Sequence, residues 1–197
     1  MSAPAYFVPR TTGADWSRSA RACLTHTGWL PPCPVNAWFQ ACHDGQRLYL
    51  RLEAEEPSVR ATFTGPLDPV SQDSCLEFFI APEPGERYFN FEFNPLGTML
   101  LGFGVQRPMR FLQVPKDPAQ FQIEPFVTPG GWGITFTVPA NFLRLYFPAF
   151  RFSGEAAVNL YKCGENAPTP HYLAWAPLSS DLPDFHRRQD FGRFIFE

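Results

Sequence analysis

Lysine is almost missing from this sequence. Only Lys116 and Lys162 occur among its 16 basic residues, and the formal net charge over 197 residues is -3. Nucleic-acid binding draws on concentrated positive charge, so no nucleic-acid partner is expected. No run of 18 apolar residues occurs, so no membrane-spanning helix is expected. No basic start followed by an apolar stretch marks the N-terminus as a secretory leader, and the expected location is the cytoplasm. The five cysteines (Cys23, Cys33, Cys42, Cys75 and Cys163) show no CxxC spacing. That argues against a disulfide framework and against a structural zinc site. The nucleophile elbow GxSxG, the phosphate loop, HExxH and the dinucleotide fingerprint are also missing. Gly102-Phe103-Gly104 lacks the third glycine and the helix that would follow it.

What the sequence has in excess is 21 Phe and 22 Pro. Phe favours strands and Pro punctuates them, so short strands joined by turns are predicted. Arg47–Glu53 alternates, with leucines on one face and Tyr49, Arg51 and Glu53 on the other. Cys75–Ala81 and Arg87–Asn94 are further strands, and Phe89, Phe91 and Phe93 share a face opposite Tyr88, Asn90, Glu92 and Asn94. That pattern predicts a strand buried on one side and solvated on the other. Asp44-Gly45, Pro82–Gly85, Pro95-Leu96-Gly97 and Pro129-Gly130-Gly131 read as turns between strands. The fold class expected is therefore an all-β antiparallel sandwich with few helical turns, one of them near Asn141–Tyr146. Residues 1–34 carry five prolines and read as an irregular segment packed on a domain of residues 35–197, with a short helix at Asp15–Leu24 capped by Asp15.

Two stretches are chemically dense. One is Gln72-Asp73-Ser74-Cys75-Leu76-Glu77 with the polar face of the Phe-rich strand. The other is Asn159–Glu165 with His171–Pro177 and Phe185-His186. Sugars present hydroxyl groups at their edges and C–H patches on their faces, so a sugar site needs carboxylates and amides beside a flat ring. Taken singly, Glu77, Asn90, Glu92 and Asn94 read most simply as a solvated strand face. Asp73 and Asn94 read about equally well as turn residues that satisfy backbone groups. His171 reads more readily as a structural hydrogen-bonder than as a ligand, and Trp38, Trp132 and Trp175 as core. Trp16 and Trp29 read as packed under the N-terminal segment.

The order of these motifs resembles the family 9 carbohydrate-binding modules: Gln72-Asp73-Ser74 before a strand with Glu77, then Phe89–Asn94, then Phe185-His186 and Phe191-Gly192-Arg193-Phe194. The resemblance covers about residues 35–197. It implies a β-sandwich related to sugar- and haem-binding domains, a non-catalytic role, and terminal sugars held between two aromatic rings. Val70 stands where the first ring is expected and Phe185 where the second is expected. The resemblance places Phe185, Glu77 and Asn94 at the site; His171, at the entrance to a strand, and Glu92, on the polar face of the Phe-rich strand, complete the expected carbohydrate site, for a mono- or oligosaccharide, with a link to polysaccharide or glycoside metabolism. Calcium often braces the family's fold. Here it is expected, if bound, near Asp73 or another turn carboxylate, since turns supply the six to eight oxygens it needs.

Three other functions remain open on sequence alone. Glu77 and Glu92 could form the carboxyl pair of a glycosidase. Met99, Met109 and His171 could ligate haem. The domain could also keep the fold without the sugar site and serve as a protein-interaction or accessory module.

Overall fold

The computed structural model describes residues 3–197 and is built almost wholly of strands. Five strands form the smaller sheet. In spatial order they are β10 (Glu124–Thr128), β11 (Gly131–Pro139), β5 (Arg47–Glu55), β4 (Asn36–His43) and β2 (Ala22–Cys23). The larger, nine-stranded sheet runs β1 (Ala5–Val8), β14 (Gly192–Phe196), β12 (Gly154–Gly164), β6 (Cys75–Ala81), β7 (Tyr88–Phe93), β8 (Met99–Gly104) and β9 (Arg110–Gln113). Its remaining strands branch from β12: β13 (His171–Ala174) pairs with it, and β3 (His26–Thr27) pairs with β13. The one α-helix among the described residues, α1 (Ala140–Arg144), follows β11. No helix is long and apolar enough to cross a membrane among the described residues.

The sandwich follows from the period of two. Leu48, Leu50 and Leu52 on β5, Phe89, Phe91 and Phe93 on β7, and Trp132, Ile134, Phe136 and Val138 on β11 are all buried in one cluster. The rings of Phe93 and Phe136 lie 4.4 Å apart across the two sheets. Aromatic side chains each bury large apolar areas, so this inter-sheet layer dominates the hydrophobic stabilisation.

Three features differ from the sequence expectation. No helix forms at Asp15–Leu24. Asp15 instead accepts from the backbone N–H and hydroxyl of Ser17 in a turn, and β2 begins within that stretch. The first 34 residues contribute β1, β2 and β3 rather than staying irregular, and β1 joins β14 in the sheet's parallel pair. The third correction bears on function. β6 and β7 are buried on both faces, so Glu77, Asn90, Glu92 and Asn94 are not a solvated face. A second apolar cluster lies on the outer side of the large sheet, where Phe79, Tyr88 and Tyr161 pack with Phe185 and Phe191, and Trp29, Phe63 and Tyr172 lean on its edge. The loops before β6 and after β13 thus roof the outer face, and a pocket opens between roof and sheet.

Candidate functional site

Strand register decides which side chains reach this pocket. On β6 and β12 the outward set includes Cys75, Glu77, Phe79, Tyr161 and Cys163. On β7, Glu92 is the direct cross-strand partner of Glu77, so the two carboxyls stand side by side on the floor. Glu77 is 3 % exposed and Glu92 2 % exposed. Glu92 Oε1 accepts from Asn90 Nδ2 at 2.7 Å and from Arg110 Nη1 at 3.0 Å. Among the described residues Glu77 has no hydrogen-bond or ion-pair partner, yet its side chain lines the pocket.

The walls are aromatic. Trp29, Tyr172 and Phe185 line one side. Phe185 lies flat on Tyr161 with centroids 4.1 Å apart, and Tyr161 Oη donates to the Phe185 carbonyl at 3.0 Å. One face of the Phe185 ring is therefore already occupied. Trp29 packs edge-on to Tyr172 at 5.4 Å and is fixed by Nε1 donating to the Ser180 carbonyl. Arg107, Glu165 and Asp184 stand at the rim. His186 closes the far side, with its Nδ1 2.8 Å from the Tyr88 hydroxyl. Burial, helped by Arg110 and Arg107, pushes the His186 imidazole down to about 2, so it is neutral. The pocket has a volume of about 90 Å³.

Burial, then the neighbouring Glu92 carboxylate, raise Glu77 well above the ordinary glutamate range. Burial also raises Glu92, while Arg110 and the Asn90 amide pull it back. Two adjacent buried carboxyls cannot both ionise cheaply, and Arg110 favours charge on Glu92. Of the two, Glu77 therefore holds a proton the more readily.

The structure unites three of the sequence-derived site residues, Glu77, Glu92 and Phe185, and separates two others. His171 faces the opposite side of the sheet. Its Cα partner on β12 is Gly164, whereas the pocket-facing Cys163 pairs with Tyr172. Because side chains alternate along a strand, His171 and Tyr172 emerge on opposite faces. A Cβ on Gly164 would run into the His171 ring, so the glycine makes room for it. His171 Nε2 lies 3.7 Å from Glu56, in a buried group with Lys162. Asn94 follows β7 and is fully engaged. Its amide donates to the Phe63 carbonyl and to Asp73, and its oxygen accepts from the N–H groups of Leu96 and Thr98.

Asp73 does not suit calcium. Its oxygens accept from Thr62 N–H at 2.8 Å, the Thr62 hydroxyl at 2.7 Å, Phe63 N–H at 3.0 Å and Asn94 Nδ2 at 3.0 Å, with Arg60 Nε at 3.3 Å. A calcium ion needs oxygens around it, not proton donors. No group of three or more His, Cys, Asp or Glu side chains arranged to hold a metal occurs among the described residues. The haem constellation does not converge either: Met109 is exposed, Met99 packs against the inner core, and His171 sits by Glu56. Sequence reading missed Trp29, Tyr172, Arg107 and Arg110. The one signal that could have found Tyr172 is its one-residue offset from His171 in an alternating strand.

The family model for carbohydrate-binding family 9 matches residues 28–196. The chain belongs to carbohydrate-binding family 9. Modules of this family are non-catalytic, and Glu77 and Glu92 stand side by side rather than across a scissile bond. Among solved structures, the family 9 domain is similar to a candidate carbohydrate-binding protein from Bacteroides uniformis, with a TM-score of 0.87 and 25% identity over 100% of both chains. It also shares its fold with a family 9 module from Caldicellulosiruptor kristjanssonii. The cellotriose complex of that module matches at a TM-score of 0.69 and 10% identity over 98% of this chain and 93% of that one. The glucose complex matches at 0.65 and 11% over 98% and 96%. No curated protein shows significant similarity to the chain.

Proposed function

We propose that this domain serves polysaccharide or glycoside metabolism by holding a mono- or oligosaccharide in the pocket above Glu77 and Glu92. The observation that carries this reading is Glu77, a carboxyl buried at the pocket floor without a protein partner among the described residues. The oxygens of this carboxyl are not sealed off by protein but open into the pocket, where a ligand hydroxyl can bond them. Aromatic walls beside it supply the apolar half of sugar recognition. The glucose and cellotriose complexes of the Caldicellulosiruptor module support the ligand class. Val70, at the place of the family's first stacking ring, is fully buried and offers no platform. Phe185 has one face covered by Tyr161. Trp29 and Tyr172 are therefore the rings left to meet a sugar.

Affinity is expected to be modest, with Kd about 0.1–10 mM, or ~3–5 kcal/mol. Calorimetric titration with glucose, cellotriose and other short saccharides tests this. Trp29→Ala should weaken binding about tenfold, ~1.4 kcal/mol, which is the size of an aromatic contact. Trp29 is the better probe than Phe185, whose removal would also unseat the loop it anchors on Tyr161. Equal binding by wild type and variant would place the sugar elsewhere. No binding of any saccharide at about 10 mM would overturn the reading.

A further inference from the structure

We infer that Glu77 and Glu92 share one proton and act as a unit, the neutral Glu77 donating to one group of the bound sugar and the charged Glu92 accepting from the next. This deepens the sugar-binding reading and rests on it for the ligand. The geometry supports the unit in three ways. The two residues are direct cross-strand partners, which brings their Cβ atoms to about 5 Å. Both are buried, so neither is screened by bulk water. Their partners are unequal: Glu92 holds Arg110 and Asn90, while Glu77 holds none among the described residues. A proton shared by such a pair therefore resides on Glu77, whose O–H is free to turn into the pocket. Two neighbouring points of opposite hydrogen-bonding sense match two neighbouring hydroxyls of a pyranose, since each hydroxyl both donates and accepts.

The surroundings favour this state. From β9 and the turn before it, Arg110 and Arg107 face the floor, and Arg110 is already paired to Glu92. From β12 come Tyr161 and Cys163, and from β6 Cys75. Burial raises all three, so they are neutral at ordinary pH. From β13 and β7 come Tyr172, raised to about 12, and Tyr88, which burial raises further, and both are also neutral. The roof brings neutral His186 with Asp184, and the β12 end brings Glu165. Lys162 departs from the opposite face to Glu56. Arg110 and Arg107 at the pocket, and Lys162 from the opposite face, all pull on Glu77, but burial and the Glu92 carboxylate outweigh them, and none of the three pairs with it among the described residues.

The consequence is a sugar affinity that falls with alkaline pH. Once Glu77 ionises, the donor is lost and two carboxylates repel at the floor. Glucose and cellotriose are titrated at about pH 7 and at stepwise higher pH, and the ratio of affinity at neutral to alkaline pH should grow by up to about tenfold per pH unit once Glu77 ionises. Glu77→Gln, which cannot ionise, should flatten that ratio to near one. A second readout does not depend on sugar. The infrared spectrum of the wild type at about pH 7 should contain a protonated-carboxyl carbonyl band that Glu77→Gln removes and that glucose shifts. A pH-independent wild-type affinity, or the missing infrared band, overturns the shared proton. A glucosamine affinity well above that of glucose would also overturn it, because an ammonium ion would then take the proton's place. If the band is present and no saccharide binds, the sugar-reading role fails, and with it the proposed function, while the shared proton stands.

Discussion

Replacing Lys162 by methionine should destabilise the domain by about 3–5 kcal/mol, the cost of stranding one member of a buried ion pair. Lys162 is fully buried, and its Nζ lies 3.1 Å from Glu56 Oε2. It also donates to the Cys163 carbonyl at 3.0 Å. Glu56 is held from the other side by Trp132 Nε1, and its backbone N–H donates to Gly130. The pair thus fastens the end of β5 and the β10–β11 turn to β12, which joins the two sheets at one end of the sandwich. Methionine fills the volume of the lysine stem but leaves the Glu56 carboxylate with Trp132 and a distant His171. Urea midpoints should fall by roughly 1–3 M for a slope of ~2 kcal/mol/M. Adding Glu56→Gln to Lys162→Met should recover most of the loss, because the stranded charge and not the missing attraction is the main cost. A single variant that loses less than about 1 kcal/mol would show that water or His171 compensates Glu56.

The same residue shows where sequence reading works and where it stops. The fold was legible because its information is local. Phe89, Phe91 and Phe93, or Trp132, Ile134 and Phe136, announce a buried face by alternation alone, and Pro and Gly mark where each strand turns. The missed strands, β1 to β3 and β9, are short and held by pairing with distant partners, which no local pattern records. For the site, Glu77, Glu92 and Phe185 were reachable because the strand faces and motif order pointed to them. Lys162 and His171 lie in the same chemically dense run as Tyr161, Cys163 and Tyr172, but one residue of register sends them to the other side of the sheet. Composition cannot see that division. Nor can it see that the polar face of β7 is roofed, because the roof comes from residues far away in sequence. Trp29 reaches the pocket from the N-terminal segment and Phe185 from the loop before β14.

Asp73 carries the second large expected effect. It is fully buried and accepts from two backbone N–H groups, a hydroxyl and an amide, beside the Arg60 guanidinium. It thereby pins the segment at Thr62 and Phe63 to the end of β7 and to the turn that carries Val70 and Ser71 beneath the pocket. Asp73→Ala leaves these donors buried and unpaired, and the cost should be about 2–5 kcal/mol in denaturant unfolding. The acid behaviour has a definite sign. Burial raises the Asp73 carboxyl, but the Phe63 and Thr62 N–H groups, the Thr62 hydroxyl and the Asn94 amide outweigh it, and the net shift is below the usual aspartate range. The folded state therefore holds the proton less tightly than the unfolded one. The stabilisation is complete above the unfolded aspartate value, about 3.9, and drains away as pH falls through the lower folded value. Asp73→Asn has no proton to take up. Its stability should be lower than wild type at neutral pH, and it should fall less steeply between about pH 5 and pH 2. Stability-against-pH profiles for wild type and Asp73→Asn that run parallel across that interval would show that Asp73 is not the group whose protonation loosens the fold.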